Sequence, residues 1–169
     1  MEIRLTAGVA RVLVTFLVAT ASMQLYAQTR SSSIARAPIG QISVDGGPVS
    51  PIYAFTFGAE QITDGATGGG GGAGKAVLDD VAIVKDADAL STSLLNFVVT
   101  GRHLQRVRVD IYGSNANQVA STFELEDVIV TRFETSGAAS ESVAFSYRLV
   151  RLTAGSATVC WDTSASRVC

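Results

Sequence analysis

The sequence is short of the residues from which most active sites are built. It has 2 cysteines, 1 histidine, 1 tryptophan and 3 prolines in 169 residues. Both cysteines, Cys160 and Cys169, sit at the extreme C-terminus, far from His103. Two thiols and one distant imidazole make a poor ligand set, so a metal centre is not expected. No Gly-x-Ser-x-Gly elbow and no calcium-loop pattern occurs. Basic charge is also in short supply, with 13 Lys and Arg against 15 Asp and Glu. A nucleic-acid partner wants a basic face, and this balance excludes one. Long apolar runs are missing too. The best, Val12–Ala19 (VLVTFLVA), is shorter than the about 20 residues a membrane helix needs.

That short run reads as part of a secretory signal peptide. Arg4 and Arg11 give a basic front end, small residues follow, and Leu25-Tyr26-Ala27 forms a cleavage site before Gln28. Ala19-Thr20-Ala21 is a second candidate site. An uncleaved anchor, or a true start at Met23, would explain the same residues. Cleavage after Ala27 removes Glu2, Arg4 and Arg11 and leaves 142 residues with 11 basic and 14 acidic side chains. A chain of that length fits one domain, burying about two-thirds of its unfolded surface. The expected organisation is a signal peptide over 1–27, a Ser-, Ala-, Gly- and Pro-rich leader over 28–43, and a folded domain over 44–169. In an oxidising compartment Cys160 and Cys169 would close a small ring worth roughly 2–3 kcal/mol. In the cytoplasm they would be free thiols.

Most of the folded part reads as strands. Pro51–Phe57, Val77–Lys85, Leu104–Tyr112, Ala120–Phe133, Glu141–Leu152 and Ser156–Trp161 carry alternating or β-branched patterns. Asp79-Asp80 marks a bulge or exposed edge within Val77–Lys85. In Ala120–Phe133 the apolar register moves from Phe123 and Leu125 to Val128 and Val130, which places a bulge or a doubly buried strand near Asp127. Asp88–Tyr112 changes period part-way. Leu90, Leu94, Leu95, Val98 and Val99 recur at helical spacing, with Ser91 as the expected N-cap and Gly101 as the stop. One short helix among strands predicts a barrel or sandwich with a helical plug or flap.

Gly58–Lys75 reads as a long loop. Within it Gly68, Gly70, Gly72 and Gly74 lead to Lys75. Gly69-x4-Gly74-Lys75 imitates the front of a phosphate-binding loop. The residue that should hold magnesium is Ala76, and a strand follows instead of a helix, so no amide cradle forms. No cofactor is expected. His103, just past a helix, reads as structural. Asp79 and Asp80 point to opposite faces, and Glu124 and Glu126 lie on the solvent side of a strand. None makes a converging acid pair, so an enzyme is not expected.

Several segments in order resemble one family. Ser91–His103 runs S-x-x-L-L to T-G-R-H, with Asp88 just before it. This is similar to the S-P-x-L-L to T-G-K-H passage of Hcp, the tube protein of bacterial type VI secretion. Thr92 stands where Pro is common, and Arg102 stands for Lys. Gly72-x-Gly74-Lys75, Leu125-Glu126-Asp127-Val128, Glu141–Tyr147 (ESVAFSY) and Trp161-Asp162 resemble further Hcp segments. Together they span Val44–Asp162. The resemblance implies a two-sheet β-barrel with one lateral α-helix. It implies hexameric rings stacked into a tube, with further copies, secreted effector proteins and sheath or spike components as partners, and no catalysis. On this reading Gly68, Gly70, Gly72, Gly74 and Lys75 belong to a ring-contact loop. The signal-like N-terminus departs from the pattern, because a tube protein assembles in the cytoplasm. An exported Hcp-like binding protein is therefore the alternative.

Overall fold

A computed structural model describes residues 36–63, 73–115, 118–137 and 139–169. The expected signal peptide and leader up to residue 35, and Gly68, Gly70 and Gly72, lie outside the described residues. Ala37–Cys169 forms a single unit.

Its frame is an antiparallel barrel. The strands are β1 (Gly40–Val44), β2 (Ser50–Thr56), β5 (Val81–Asp86), β6 (Leu104–Tyr112), β7 (Val119–Ser136) and β8 (Ser140–Ala154). They run in the order β8-β5-β2-β1-β6-β7, and β7 pairs back onto β8 to close the ring. Closure removes the free edges that an open sheet would expose. Inward positions alternate with outward ones, as a period of two requires. On β8, Val143, Phe145 and Tyr147 face the core while Ser142, Ala144 and Ser146 are half-buried. Ile42, Ile52, Val109, Leu125 and Phe145 are among the fully buried side chains, each worth about 1.5–3 kcal/mol of transfer free energy. Phe123 stacks against Phe55 and Phe57 with ring centroids 4.6 and 5.4 Å apart. The expected mainly β barrel with one lateral helix is the fold the chain adopts.

The face switch near Asp127 is real, and its cause is local. Asp127 has φ 53°, a left-handed conformation that a short polar side chain tolerates. The pairs Glu126–Leu149 and Val128–Tyr147 flank it, so inward positions move from Leu125 to Val128. The register shift itself lies further on, between Val130 and Arg132.

Six expectations need correction. The domain begins earlier than residue 44, because β1 starts at Gly40. Gly40 lets two backbones touch: a Cβ there would lie 2.3 Å from the Asp110 carbonyl oxygen. Val77–Lys85 is not one strand. Asp79-Asp80 separates β4 (Ala73–Leu78) from β5, and the two belong to different sheets. The Asp79 amide donates to the Gly58 carbonyl and the Tyr147 hydroxyl donates to the Asp79 carbonyl, which fixes the corner. Gly58–Lys75 is not all loop, since β3 (Ala59–Thr63) pairs with β4 as a hairpin that includes Gly74 and Lys75. The helix, α1 (Ala89–Thr100), is capped by Asp88 and not by Ser91. Its buried seam is Leu90, Leu94, Phe97 and Val98 against the core, while Leu95 and Val99 are 47% and 70% exposed. One seam suffices for a helix lying on a barrel wall, so the wider stripe is left to solvent. Finally, the last strand, β9 (Ala157–Asp162), is followed by a two-residue β10 (Arg167–Val168). The Asp162 carboxylate accepts from the Ser164 and Ala165 amides and so reverses the chain between them.

Candidate functional site

The polar residues of the separated sequence motifs meet in pairs. The largest cluster fastens α1 to the barrel. Lys85 stands on β5 in register with Val81 and Ile83, so its side chain enters the interior and is fully buried. Its Nζ donates to Glu141 Oε2 at 3.0 Å, to Ser91 Oγ at 3.0 Å and to the Asp86 carbonyl at 2.7 Å. It also pairs with Asp88 Oδ1 at 2.7 Å. Ser91 Oγ donates to Glu141 Oε2 at 2.6 Å and accepts from the Asp88 amide at 2.9 Å. Asp88 accepts from the Leu90 amide and from the Ser50 hydroxyl. The capping box is thus built into an ion-pair network reaching β2, β5 and β8. Burial pushes the Asp88 carboxyl up, but hydrogen bonds from Lys85, Ser50 and the Leu90 amide outweigh it and hold it below the usual range.

A second cluster joins the helix exit to the end of the sheet. Gly101, with φ 63°, ends α1 in the left-handed turn that glycine adopts without strain. His103 follows, and its Nδ1 lies 2.7 Å from Asp127 Oδ1. Arg148 reaches Asp127 Oδ2 at 3.6 Å and Asp162 Oδ2 at 2.9 Å. The Ser164 hydroxyl, and next the Ala165 amide, hold the Asp162 carboxyl below the usual range. His103 therefore has a structural partner at the turn where the sequence placed it.

On the wall formed by β1, β6 and β7, Asp110 is nearly buried and accepts from Arg108, Thr122 and Gln41. Burial raises its carboxyl and these three donors lower it further, leaving it below the usual range. Arg108 and Arg151 continue the ladder to Glu124. These carboxylates are held by cations and hydroxyls, an arrangement that shapes a surface. Among the described residues no cluster of three His, Cys, Asp or Glu is placed to hold a metal ion.

Two further features lie around β9. An apolar groove of about 240 Å³ runs between the β3–β4 hairpin and β8–β9, lined by Phe57, Leu78, Leu152, Val159, Cys160 and Trp161 among others. Beside it Cys160 and Cys169 are joined by a disulfide, with Cα atoms 5.3 Å apart. Gly74 and Lys75 stand in β4 near the segment 64–72 that joins the hairpin strands. Sequence reasoning missed Lys85 as a hub. The signal was present, because an inward register of Val81, Ile83 and Lys85 puts a cation where only a buried partner could hold it.

No curated protein matches this chain in sequence. The family described as "Type VI secretion system effector, Hcp" matches residues 49–153, more than half of the chain. Among solved structures, a type six secretion system protein superposes with a TM-score of 0.70 at 18% identity, over 79% of this chain and 100% of that one. Hcp1 from Salmonella typhimurium gives 0.63 at 16% identity, over 77% and 97%. The secreted protein Hcp3 from Pseudomonas aeruginosa gives 0.57 at 19%, over 73% and 98%. At such identities the structures speak for the fold, and the sequence match over 49–153 speaks for the family: the chain belongs to the Hcp family of type VI secretion proteins.

Proposed function

We propose that this chain is a structural subunit of a type VI secretion tube, assembling as stacked hexameric rings able to carry effectors. The observation that carries this reading is the family match over 49–153, seated on a barrel that covers nearly the whole length of the Hcp structures. The role asked of the protein is mechanical, to hold a shape and present surfaces to other copies. A buried ion-pair network at the base of α1 suits that role. The segment Gly58–Lys75, with Gly68, Gly70, Gly72, Gly74 and Lys75, is assigned the ring-to-ring or subunit contact. Electron microscopy and native mass spectrometry of the purified protein test this. Six-membered rings are expected, and deletion of Gly68–Gly72 should weaken their assembly or stacking. A folded monomer at high concentration would overturn the tube reading, and unchanged rings after the deletion would overturn the assignment of that segment.

A second reading is favoured by one feature, the basic, apolar and small-residue succession at the N-terminus. On that reading the protein is an exported Hcp-like binding protein of the periplasm or the exterior. The N-terminal mass of the native protein separates the two. A chain beginning near Gln28 or Ser22 supports export, and an intact Met1 or Met23 start sinks it.

A further inference from the structure

We propose that Cys160 and Cys169 form a redox latch, whose state decides whether the C-terminal strand β10 covers the edge of β9. Three observations point to it. First, β10 is too short to hold itself. It comprises Arg167 and Val168, pairs only with Asp162 and Trp161, and gains one further backbone bond from the Cys169 amide to the Cys160 carbonyl at 3.3 Å. A two-stranded pairing of this size is marginal in water without a clasp. Second, β10 buries nothing: Arg167, Val168 and Cys169 are all exposed, so no apolar burial replaces the covalent link. Third, the disulfide bears on the tail and not on the barrel. Cys160 is on β9, outside the ring of six strands, and the core of β1, β2 and β5–β8 contains neither cysteine.

The chemistry balances with a small thiol as reductant. Its thiolate attacks Cys169 Sγ, the exposed member of the pair, and the S–S bond breaks. Cys160 leaves as a thiolate and takes a proton. A second thiol then resolves the mixed disulfide, releasing Cys169 as a thiol and carrying off two electrons' worth of oxidation as the small-molecule disulfide. Release of β10 strips the outer ladder partners from Trp161 and Asp162, which stay paired with Val150 and Leu149 on β8, and the donor from the Cys160 carbonyl. It also leaves the outer edge of Cys160 and Trp161 uncovered, and both line one wall of the apolar groove. The latch is closed in an oxidising compartment and open in a reducing one. It therefore reports which side of a membrane the protein occupies, whichever functional reading holds.

Hydrogen exchange read by mass spectrometry on the full chain tests this, with and without a phosphine reductant, together with maleimide labelling. The oxidised protein should take no label and the reduced protein two. On reduction, the amides of Arg167–Cys169 should exchange at least tenfold faster, while Asp162 and Thr163, tied to β8, and peptides of β1, β6 and β7 keep their rates. The double variant Cys160→Ser with Cys169→Ser should reproduce the reduced pattern without reductant. Unchanged exchange at the C-terminus after reduction would overturn the latch. So would acceleration throughout the barrel, since the disulfide would then be a staple of the whole domain.

Discussion

Replacing Lys85 by methionine is the sharpest test of what holds α1 in place. Lys85 is fully buried and the side chain of Glu141 is 4% exposed, so neither charge is screened by water. Two opposing effects have to be weighed. Taking both charges out of water costs several kcal/mol per ion, and their mutual attraction together with the bonds to Ser91 and the Asp86 carbonyl offsets that cost. The intact network is therefore near neutral relative to a well-packed apolar substitute. Half of it is not neutral. Lys85→Met fills similar volume but strands the Glu141 carboxylate, and breaking a buried pair from one side costs about 3–5 kcal/mol. Against a total stability of about 5–15 kcal/mol, that is a large share.

The double variant Lys85→Met with Glu141→Leu removes both charges. It should come within about 1 kcal/mol of the parent, and so be about 2–4 kcal/mol more stable than Lys85→Met alone. Urea denaturation at neutral pH, followed by tryptophan fluorescence from Trp161 and by far-UV circular dichroism, reads all four corners of the cycle. A Lys85→Met loss below about 1 kcal/mol would refute the reasoning. So would a double variant as unstable as the sum of the single ones, because the network would then be worth more than its desolvation cost.

The remaining predictions concern pH and backbone. Asp88 and Asp110 have carboxyls held below their unfolded value of about 3.9, so each stabilises the fold fully above that pH. The unfolded state binds the extra proton first, and the contribution is lost as pH falls through the folded values. Asp110→Asn should flatten the decline of stability as pH falls below about 4, and equal slopes for variant and parent in denaturation titrations would count against this. Gly40→Ala should cost about 1–3 kcal/mol or more, since its Cβ has no room against the Asp110 carbonyl. Gly101→Ala meets no atom within 4 Å and should lose only about 1–2 kcal/mol, from the left-handed backbone alone. Thermal unfolding ranks the pair, and the reverse order would contradict both accounts.

What was legible in the sequence followed the physics of each signal. Alternation revealed β6 and β8 almost to the residue, because one face of each is packed and the other is half-wet. Gly101 was legible because few residues enter a left-handed turn without strain. The N-cap was misplaced by three residues because Asp88 and Ser91 are both capping residues, and only the reciprocal bond of the box decides which is outside the helix. β3 and the start of β4 were unreadable because they are short and flank a glycine-rich stretch, so pairing across the hairpin, and not pattern, makes them strands.

The polar sites were hidden for a different reason, and that reason explains why the motifs recur in order along the chain. Asp88 and Ser91 are 53 and 50 positions from Glu141 in sequence, and His103 is 24 from Asp127. Each is unremarkable on its own element. Barrel closure carries the start of β8 beside the end of β5, through the register Lys85–Glu141 and Asp86–Ser140, and the helix start falls on the same spot. A change at Ser91 is therefore felt at Glu141 and Lys85, on two other elements. Short motifs scattered over a long chain are what a single three-dimensional clasp looks like when it is unrolled.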